Sequence, residues 1–238
     1  MSEAERRVAV VTGGSQGIGA GLAAGYRRQG WAVVATARAI KPAEDPDVLT
    51  VDADISEPSA ADRIIGAALG RFGHVDTLVN NAGVFISKPF TDYTAGDYAT
   101  VVGVNLTGFF WLTQRAIAEM LGRGRGHIVN ISTTLVDYAS SRAPSALTAL
   151  TKGGLAAVTR SLAVEYASRG IRVNAVSLGI IQTPVHPSES YAGLGDQLPP
   201  MGRVGQVSDV VDGILFLEAS PYITGEILHI DGGQIAGH

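Results

Sequence analysis

Seven short apolar runs rich in β-branched residues alternate with longer stretches of helical periodicity, and this rhythm constrains the fold more than any other feature. The runs are 8–12 (VAVVT), 32–36 (AVVAT), 48–52 (VLTVD), 77–81 (TLVNN), 127–132 (HIVNIS), 171–177 (IRVNAVS) and 226–230 (EILHI). Most are almost continuously apolar, as strands buried on both faces of a parallel sheet must be; a half-exposed antiparallel strand would alternate. Helical periodicity occupies 17–29, 58–71, 94–121, 145–168 and 207–218. The alternation predicts βαβ units with right-handed crossovers, hence an α/β chain with a doubly wound parallel sheet and helices on both faces. One crossover breaks the rhythm. Residues 37–47 (ARAIKPAEDPD) carry two prolines and little periodicity, so the helix expected there should be vestigial. No second domain or internal repeat is visible, and 1–238 reads as one domain. The stretch 183–206, rich in Pro, Gly and Ser, is too long for an ordinary connection and is expected to be a substrate lid.

Composition narrows the function classes. A net charge of -4 gives no electrostatic reason for a nucleic-acid or anionic-membrane partner. The one cationic cluster, GRGRGH (122–127), lies between a helix-like and a strand-like stretch and reads as a solvated loop. No apolar run approaches a membrane span, and the charged MSEAERR start lacks a signal-peptide core, so a cytoplasmic protein is expected. The chain has no cysteine, and its five histidines (74, 127, 186, 229, 238) show no ligand spacing; no metal site is predicted.

The strongest chemical signal is TGGSQGIG (12–19), which joins the first strand to the first helix. Such a turn aims backbone N–H groups and the positive helix end at a phosphate, with no Cβ in the way. Gly13 allows the tight turn, Gly17 the close approach and Gly19 the helix–strand packing; Ser15, Gln16 and Ile18 complete the expected cofactor-binding turn. Together with the strand pattern, this makes the domain Rossmann-like.

The spacing TGxxxGxG resembles that of the short-chain dehydrogenase/reductase family. The resemblance continues in NNAG (80–83), VNLTG (104–108), IRVNAVSLG (171–179) and TGEILHIDGG (224–233), in the family's order and over essentially the whole chain. It implies that Asn80 steadies the sheet, and that Asn81, Ala82 and Gly83 line a nicotinamide cofactor. Asp54 and Ile55 would flank the adenine. Gly179, Ile181 and Thr183 would border the nicotinamide and pyrophosphate. At the tip of the second strand Ala37 stands where NAD-preferring relatives carry Asp, and Arg38 follows. A carboxylate there would repel a 2′-phosphate and an arginine pairs with one, so NADP(H) is favoured over NAD(H).

The family's chemistry moves a hydride between nicotinamide and a carbonyl or alcohol, with a tyrosine four residues before a lysine transferring the proton. By resemblance Lys152 holds the nicotinamide ribose, Asn105 sits at a helix bend that holds a water, and the substrate-positioning hydroxyl is Thr133, with Ser132 beside it. The tyrosine's place is held by Thr148, a far weaker acid with a shorter reach. Three readings stay open: an oxidoreductase with another proton source (water, the substrate, Tyr191 or Tyr138, the last taken into the site); a nucleotide-binding module without turnover; or non-redox dehydratase or cyclase chemistry. The resemblance further implies a small-molecule substrate and a homotetramer, with a dimer second.

Overall fold

In the computed structural model, which describes residues 6–141, 143–184 and 199–237, the seven runs become one sheet. The strands are β1 (Val8–Thr12), β2 (Ala32–Ala37), β3 (Val48–Asp52), β4 (Thr77–Asn80), β5 (Gly126–Thr133), β6 (Ile171–Leu178) and β7 (Ile227–Ile230). Their order is β3-β2-β1-β4-β5-β6-β7, and every pairing is parallel. The order reverses between β1 and β4. Connections leave that point for opposite faces, which opens a crevice at the carboxyl ends of these strands.

The pleat of each strand divides its side chains between two cores. Val8 and Val10 of β1 enter one, with residues of α2 (Ser59–Phe72), α4 (Phe109–Arg123) and α5 (Ala146–Tyr166). Ala9 and Val11 enter the other, beneath α1 (Gly17–Arg28) and α6 (Val207–Ala219). Helices α1 and α6 pack unusually closely: a Cβ on Gly21 would lie 2.3 Å from Val207 Cγ1, and one on Gly25 would lie 2.6 Å from Val211 Cγ1.

The long helix expected over 94–121 is interrupted. Helix α3 (Ala95–Val102) passes into a π-helical turn, Gly103–Gly108, before α4 begins. The wider turn leaves the polarity pattern continuous, so periodicity alone could not reveal it. Gly108 lets Ile55 pack against this turn, since a Cβ at 108 would be 2.8 Å from the Ile55 side chain.

As the prolines foretold, no helix forms over 38–47. The connection is tied to α1 by charge: Arg27 pairs with Asp45 at 2.8 Å and with Asp47 at 2.9 Å. In the expected lid, 185–198 lies outside the described residues, as does Tyr191. Its two ends are clamped by a bridge between Ile181 and Gly205, with Gln182 N–H donating to Gly205 O at 2.8 Å. The GRGRGH stretch runs into β5, and Arg125 pairs with Asp76 at 3.2 Å.

At the opposite end of the sheet from the crevice, Glu218 is buried in a polar cluster. Its carboxylate accepts from Tyr26 OH (3.1 Å), Thr77 Oγ1 (3.0 Å) and His127 Nδ1 (3.0 Å). The remaining ring nitrogen of His127 faces the amide of Asn174 at 3.0 Å and the guanidinium of Arg172 at 3.4 Å. Both are donors, so the neutral ring carries its proton on Nδ1. Burial holds His127 below its usual pKa. Burial would raise that of Glu218, but His127, Thr77 and Arg172 outweigh it and keep the carboxyl below its ordinary range. Glu218→Ala leaves these donors buried without their acceptor. Urea denaturation should show a loss of about 3–5 kcal/mol; a change below about 1 kcal/mol would mean the cluster is not a structural anchor.

Candidate active site

The glycine turn after β1 has the geometry of an anion cradle. Gly13 and Gly17 adopt φ of 67° and 54°, where a side chain is strained. A Cβ on Gly19 would fall 2.1 Å from Gly13 O, so no other residue fits. Gln16 makes no side-chain cap, and the first turn of α1 holds no acidic residue. The positive end of α1 therefore keeps its N–H groups for a ligand. Ser15 and Gln16 are exposed beside it, while Ile18 packs onto the core. Thr183 stands over the same turn: a Cβ on Gly17 would lie 3.5 Å from Thr183 Cβ.

Thr12 ties this cradle to the end of β4. Its hydroxyl accepts from Asn81 N at 3.0 Å and Ala82 N at 2.9 Å, and donates to Val79 O at 3.3 Å. The Asn81 side chain donates to Thr12 O at 2.7 Å. Asn81 therefore builds the cradle's wall. Asn80 bridges Thr113 and Asn130 within the core, the sheet-steadying place expected of it.

Gly83 follows, and the crevice closes around it. A Cβ there would lie 3.2 Å from Lys152 Nζ and 3.5 Å from Asn105 Oδ1, so glycine is what lets these groups converge. Asn105 is buried in the π turn. Its side chain pairs with Val84 as a strand would, accepting from Val84 N at 2.8 Å and donating to Val84 O at 3.0 Å. A weaker bond reaches Thr151 Oγ1 at 3.3 Å. Its amide is thus fully engaged in positioning.

Lys152 is buried on the sheet face of α5 and donates to Ile131 O at 2.7 Å. Among the described residues it has no carboxylate partner, and burial pushes its pKa down to about 8. Thr148, one turn earlier on that face, is also buried, and its hydroxyl has no hydrogen-bond partner among the described residues. Of the two candidate hydroxyls on β5, Ser132 Oγ donates to Lys152 O at 3.4 Å. Thr133 Oγ1 accepts from Leu135 N at 3.3 Å, which leaves its proton for another acceptor. Tyr138 is partly exposed on the loop beyond, where its N–H donates to Thr134 O at 2.7 Å.

The remaining predicted residues border the crevice. Arg38 is exposed at the tip of β2. Asp54 accepts from Ser56 N and Oγ at 2.9 and 2.7 Å, and these bonds, with Arg38 nearby, lower its pKa. The Ile55 and Ile181 side chains are buried in the two cores, which leaves only their backbones for a ligand. Gly179 lies against the C-terminal turn, its would-be Cβ 2.8 Å from Asp231 Cα. Two contributors were not read from the sequence. Thr12 opens the glycine motif, and its part is the junction with the end of β4. Thr134 donates toward Leu178 O and Gln234 Oε1 at 3.3 and 3.1 Å, joining the β5 loop to the C-terminal turn. The STT run hinted at such a hydroxyl, but its partner is 100 residues away.

Sheet order and cradle define a Rossmann-type nucleotide-binding fold, and the comparisons with known proteins refine that class. A family model described as enoyl-(acyl carrier protein) reductase matches residues 13–234. The 3beta-hydroxysteroid dehydrogenase 1 of Eggerthella lenta is 36% identical over 255 residues, covering 96% of this chain and 93% of that protein. The structure of ElxO with NADP bound has a TM-score of 0.88 at 28% identity, covering 98% of this chain and all of the other. A 3-ketoacyl-(acyl-carrier-protein) reductase from Brucella melitensis, complexed with NADH, has a TM-score of 0.86 at 31% identity, covering 97% and 99%. The chain belongs to the short-chain dehydrogenase/reductase family, whose enzymes are oxidoreductases acting on small molecules. No helix among the described residues is long and apolar enough to cross a membrane.

Two outcomes follow from the site. Gly19→Ala should abolish nucleotide binding by calorimetry, since the added methyl displaces Gly13 and the cradle with it. Lys152→Met removes a buried cation that has no carboxylate partner among the described residues. It should stabilise the free protein by about 1–3 kcal/mol at pH 7. Above the lysine's folded pKa the advantage shrinks, because the folded wild type then carries the neutral amine while its unfolded chain still binds the proton. Denaturation at pH 7 and 9.5 measures the difference; equal stability at both would contradict it.

Proposed function

We propose that this chain is an NADP(H)-dependent oxidoreductase that moves a hydride between nicotinamide and the carbonyl or alcohol carbon of a small molecule, with a group other than a tyrosine handling the proton. One observation carries the reading. A glycine cradle and a buried lysine are brought together through Thr12, Asn81 and Gly83 at the carboxyl ends of β1 and β4. The cradle residues Gly13–Gly19 would hold the pyrophosphate and Lys152 the nicotinamide ribose. Thr133, with its uncommitted hydroxyl proton, would donate to the substrate oxygen. When bound, the nicotinamide gives or takes the hydride. Residues 183–206 would cover the substrate, with the Ile181–Gly205 bridge as the base of that lid.

The preference for NADP(H) is supported by Arg38, exposed at the tip of β2, with Ala37 before it rather than a carboxylate. Neighbours of this fold are solved with either NADP or NADH, so the residue at the tip is the discriminating feature. Arg38→Asp should weaken NADPH binding by roughly 10- to 100-fold, the worth of one or two charge-assisted bonds, and change NADH binding far less. Equal NADPH affinity in wild type and variant would rule out this role.

A second reading, nucleotide binding without turnover, draws on the Thr148 hydroxyl, which is buried and has no partner among the described residues. A tyrosine-to-phenylalanine variant of ElxO is solved with NADPH bound, so a relative keeps its nucleotide after losing one tyrosine hydroxyl. Oxidation of bound NADPH by a panel of ketones, quinones and imines separates the readings: turnover supports the first, tight binding with none supports the second.

Self-association is supported by an apolar depression between α4 and α5, where Phe110 and Trp111 are exposed beside Gly154 and Val158. Two-fold pairing of this face would start the tetramer. Trp111→Lys should shift sedimentation toward smaller species, and an unchanged profile would place the interface elsewhere.

A further inference from the structure

On the oxidoreductase reading, on which the inference here rests, two loops must be held at a fixed separation. Thr133, at the end of β5, would hold the substrate oxygen, and the turn after β6, from Gly179 onward, would border the nicotinamide. Hydride transfer needs the reacting atoms about 3–3.5 Å apart, and a misplacement of about 1 Å can cost roughly 100-fold in rate. The β5–β6 ladder stops short of these loops, at the pair Thr133 and Leu178. Something else must space them.

The C-terminal turn lies in that place. Thr134, the residue after the ladder, is buried, and its hydroxyl is 3.3 Å from Leu178 O and 3.1 Å from Gln234 Oε1. Across from it, Gly179 N donates to Ile230 O at 3.1 Å. A Cβ on Gly179 would fall 2.8 Å from Asp231 Cα and 3.1 Å from Gln234 Oε1, so a side chain there would push the turn away. The Gln234 amide thus touches both loops, one by a hydrogen bond and the other by packing.

We propose that Gln234 is a positioning residue for hydride transfer: by joining Thr134 to the turn at Gly179, it sets the distance between the substrate-holding loop and the nicotinamide-holding one. Either orientation of its amide makes the bond. With oxygen toward Thr134 the amide accepts the hydroxyl proton; with nitrogen there it donates, and the hydroxyl proton goes to Leu178 O. Thr134 in turn carries the loop beyond β5, since its carbonyl accepts from Asp137 N at 2.9 Å and Tyr138 N at 2.7 Å.

The turn that presents Gln234 is built without its side chain. The Asp231 carboxylate accepts from Gly233 N and Ile235 N, both at 2.9 Å, and so ties the turn on either side of Gln234. Gln234 N donates to Asp231 O at 3.3 Å, and Ala236 N to Gly233 O at 3.0 Å. Met201 N donates to Gly232 O at 3.1 Å, which seats the turn against the described end of the 183–206 stretch. Removing the Gln234 amide leaves all of these bonds in place and takes away the reach toward Thr134. A merely structural residue would instead loosen the turn and weaken binding along with rate.

Steady-state kinetics with NADPH and a ketone panel, and calorimetry of NADPH binding, test the assignment. Gln234→Ala should lose roughly 10- to 100-fold in kcat, with KM and NADPH affinity within about threefold, because neither ligand loses a bond. Thr134→Val should match that loss, and Thr134→Ser, which keeps the hydroxyl, should restore the rate. The double variant Gln234→Ala, Thr134→Val should be no slower than either single, since each removes the same bond. Independently of activity, amide exchange at Tyr138 and Gly179 should quicken roughly tenfold in Gln234→Ala, while amides within β5 and β6 keep their rates. A Gln234→Ala enzyme with wild-type kcat overturns the inference and leaves the oxidoreductase reading standing. A loss confined to KM or NADPH affinity, a double variant whose loss is the product of the two singles, or unchanged exchange at both amides overturns it as well. Should Gln234→Ala fail to fold, the side chain is part of the turn's construction and the inference falls. If the wild type reduces no carbonyl, the oxidoreductase reading fails and the inference with it.

Discussion

The hydroxyl of Thr12 joins β1 to the residues after β4 at the point where the sheet order reverses. By accepting from Asn81 and Ala82 and donating to Val79, it fixes the wall of the crevice in one small group. The glycine turn is registered against that wall from one side through the Asn81 side chain. Gly83, two residues further on, is delivered to the lysine of α5 on the other side. Cradle and lysine sit far apart in sequence, and this junction brings them together. Brief polar contacts of this kind are effective because both cores around them are closely packed and leave the strand ends little freedom.

Much of this was legible in the chain because the determinants are local. Continuous apolar runs forced parallel strands, two prolines removed the helix after β2, and the glycines of 12–19 had to form a cradle. The π turn left no mark on the polarity pattern, which a continuous helix would share, and only the family resemblance placed a helix bend at Asn105. Its consequence, an Asn105 amide locked onto Val84, depends on a neighbour 21 residues away. The same is true of Thr134 with Gln234 and of the cluster around Glu218, whose members come from five strands and helices. Polar groups that meet only through tertiary packing leave no periodicity to read. The sequence did show that Thr148 stands four residues before Lys152. That its hydroxyl is buried, with no hydrogen-bond partner among the described residues, required the fold.

Lys152 also illustrates how a site is maintained against stability. A buried ammonium with no carboxylate partner among the described residues is destabilising, and its retention between α5 and the sheet argues for use rather than for packing. The cluster at the other end of the sheet is the contrasting case. There Glu218 is surrounded by donors, every ring nitrogen of His127 is assigned, and the charge is compensated where no crevice opens. One end of the sheet holds its buried carboxylate paired with three donors; the other holds a buried lysine that has no carboxylate partner among the described residues.

The central claim is that the crevice carries out hydride transfer although position 148 offers no phenol. Single-turnover reaction of the protein with NADPH deuterated at nicotinamide C4, against a panel of ketones and analysed by mass spectrometry, tests it most directly. The account predicts deuterium on the carbinol carbon of a reduced product, with the NADPH signal lost in step. Tight NADPH binding with no deuterium in any product, in the wild type and in Thr148→Tyr alike, would contradict it.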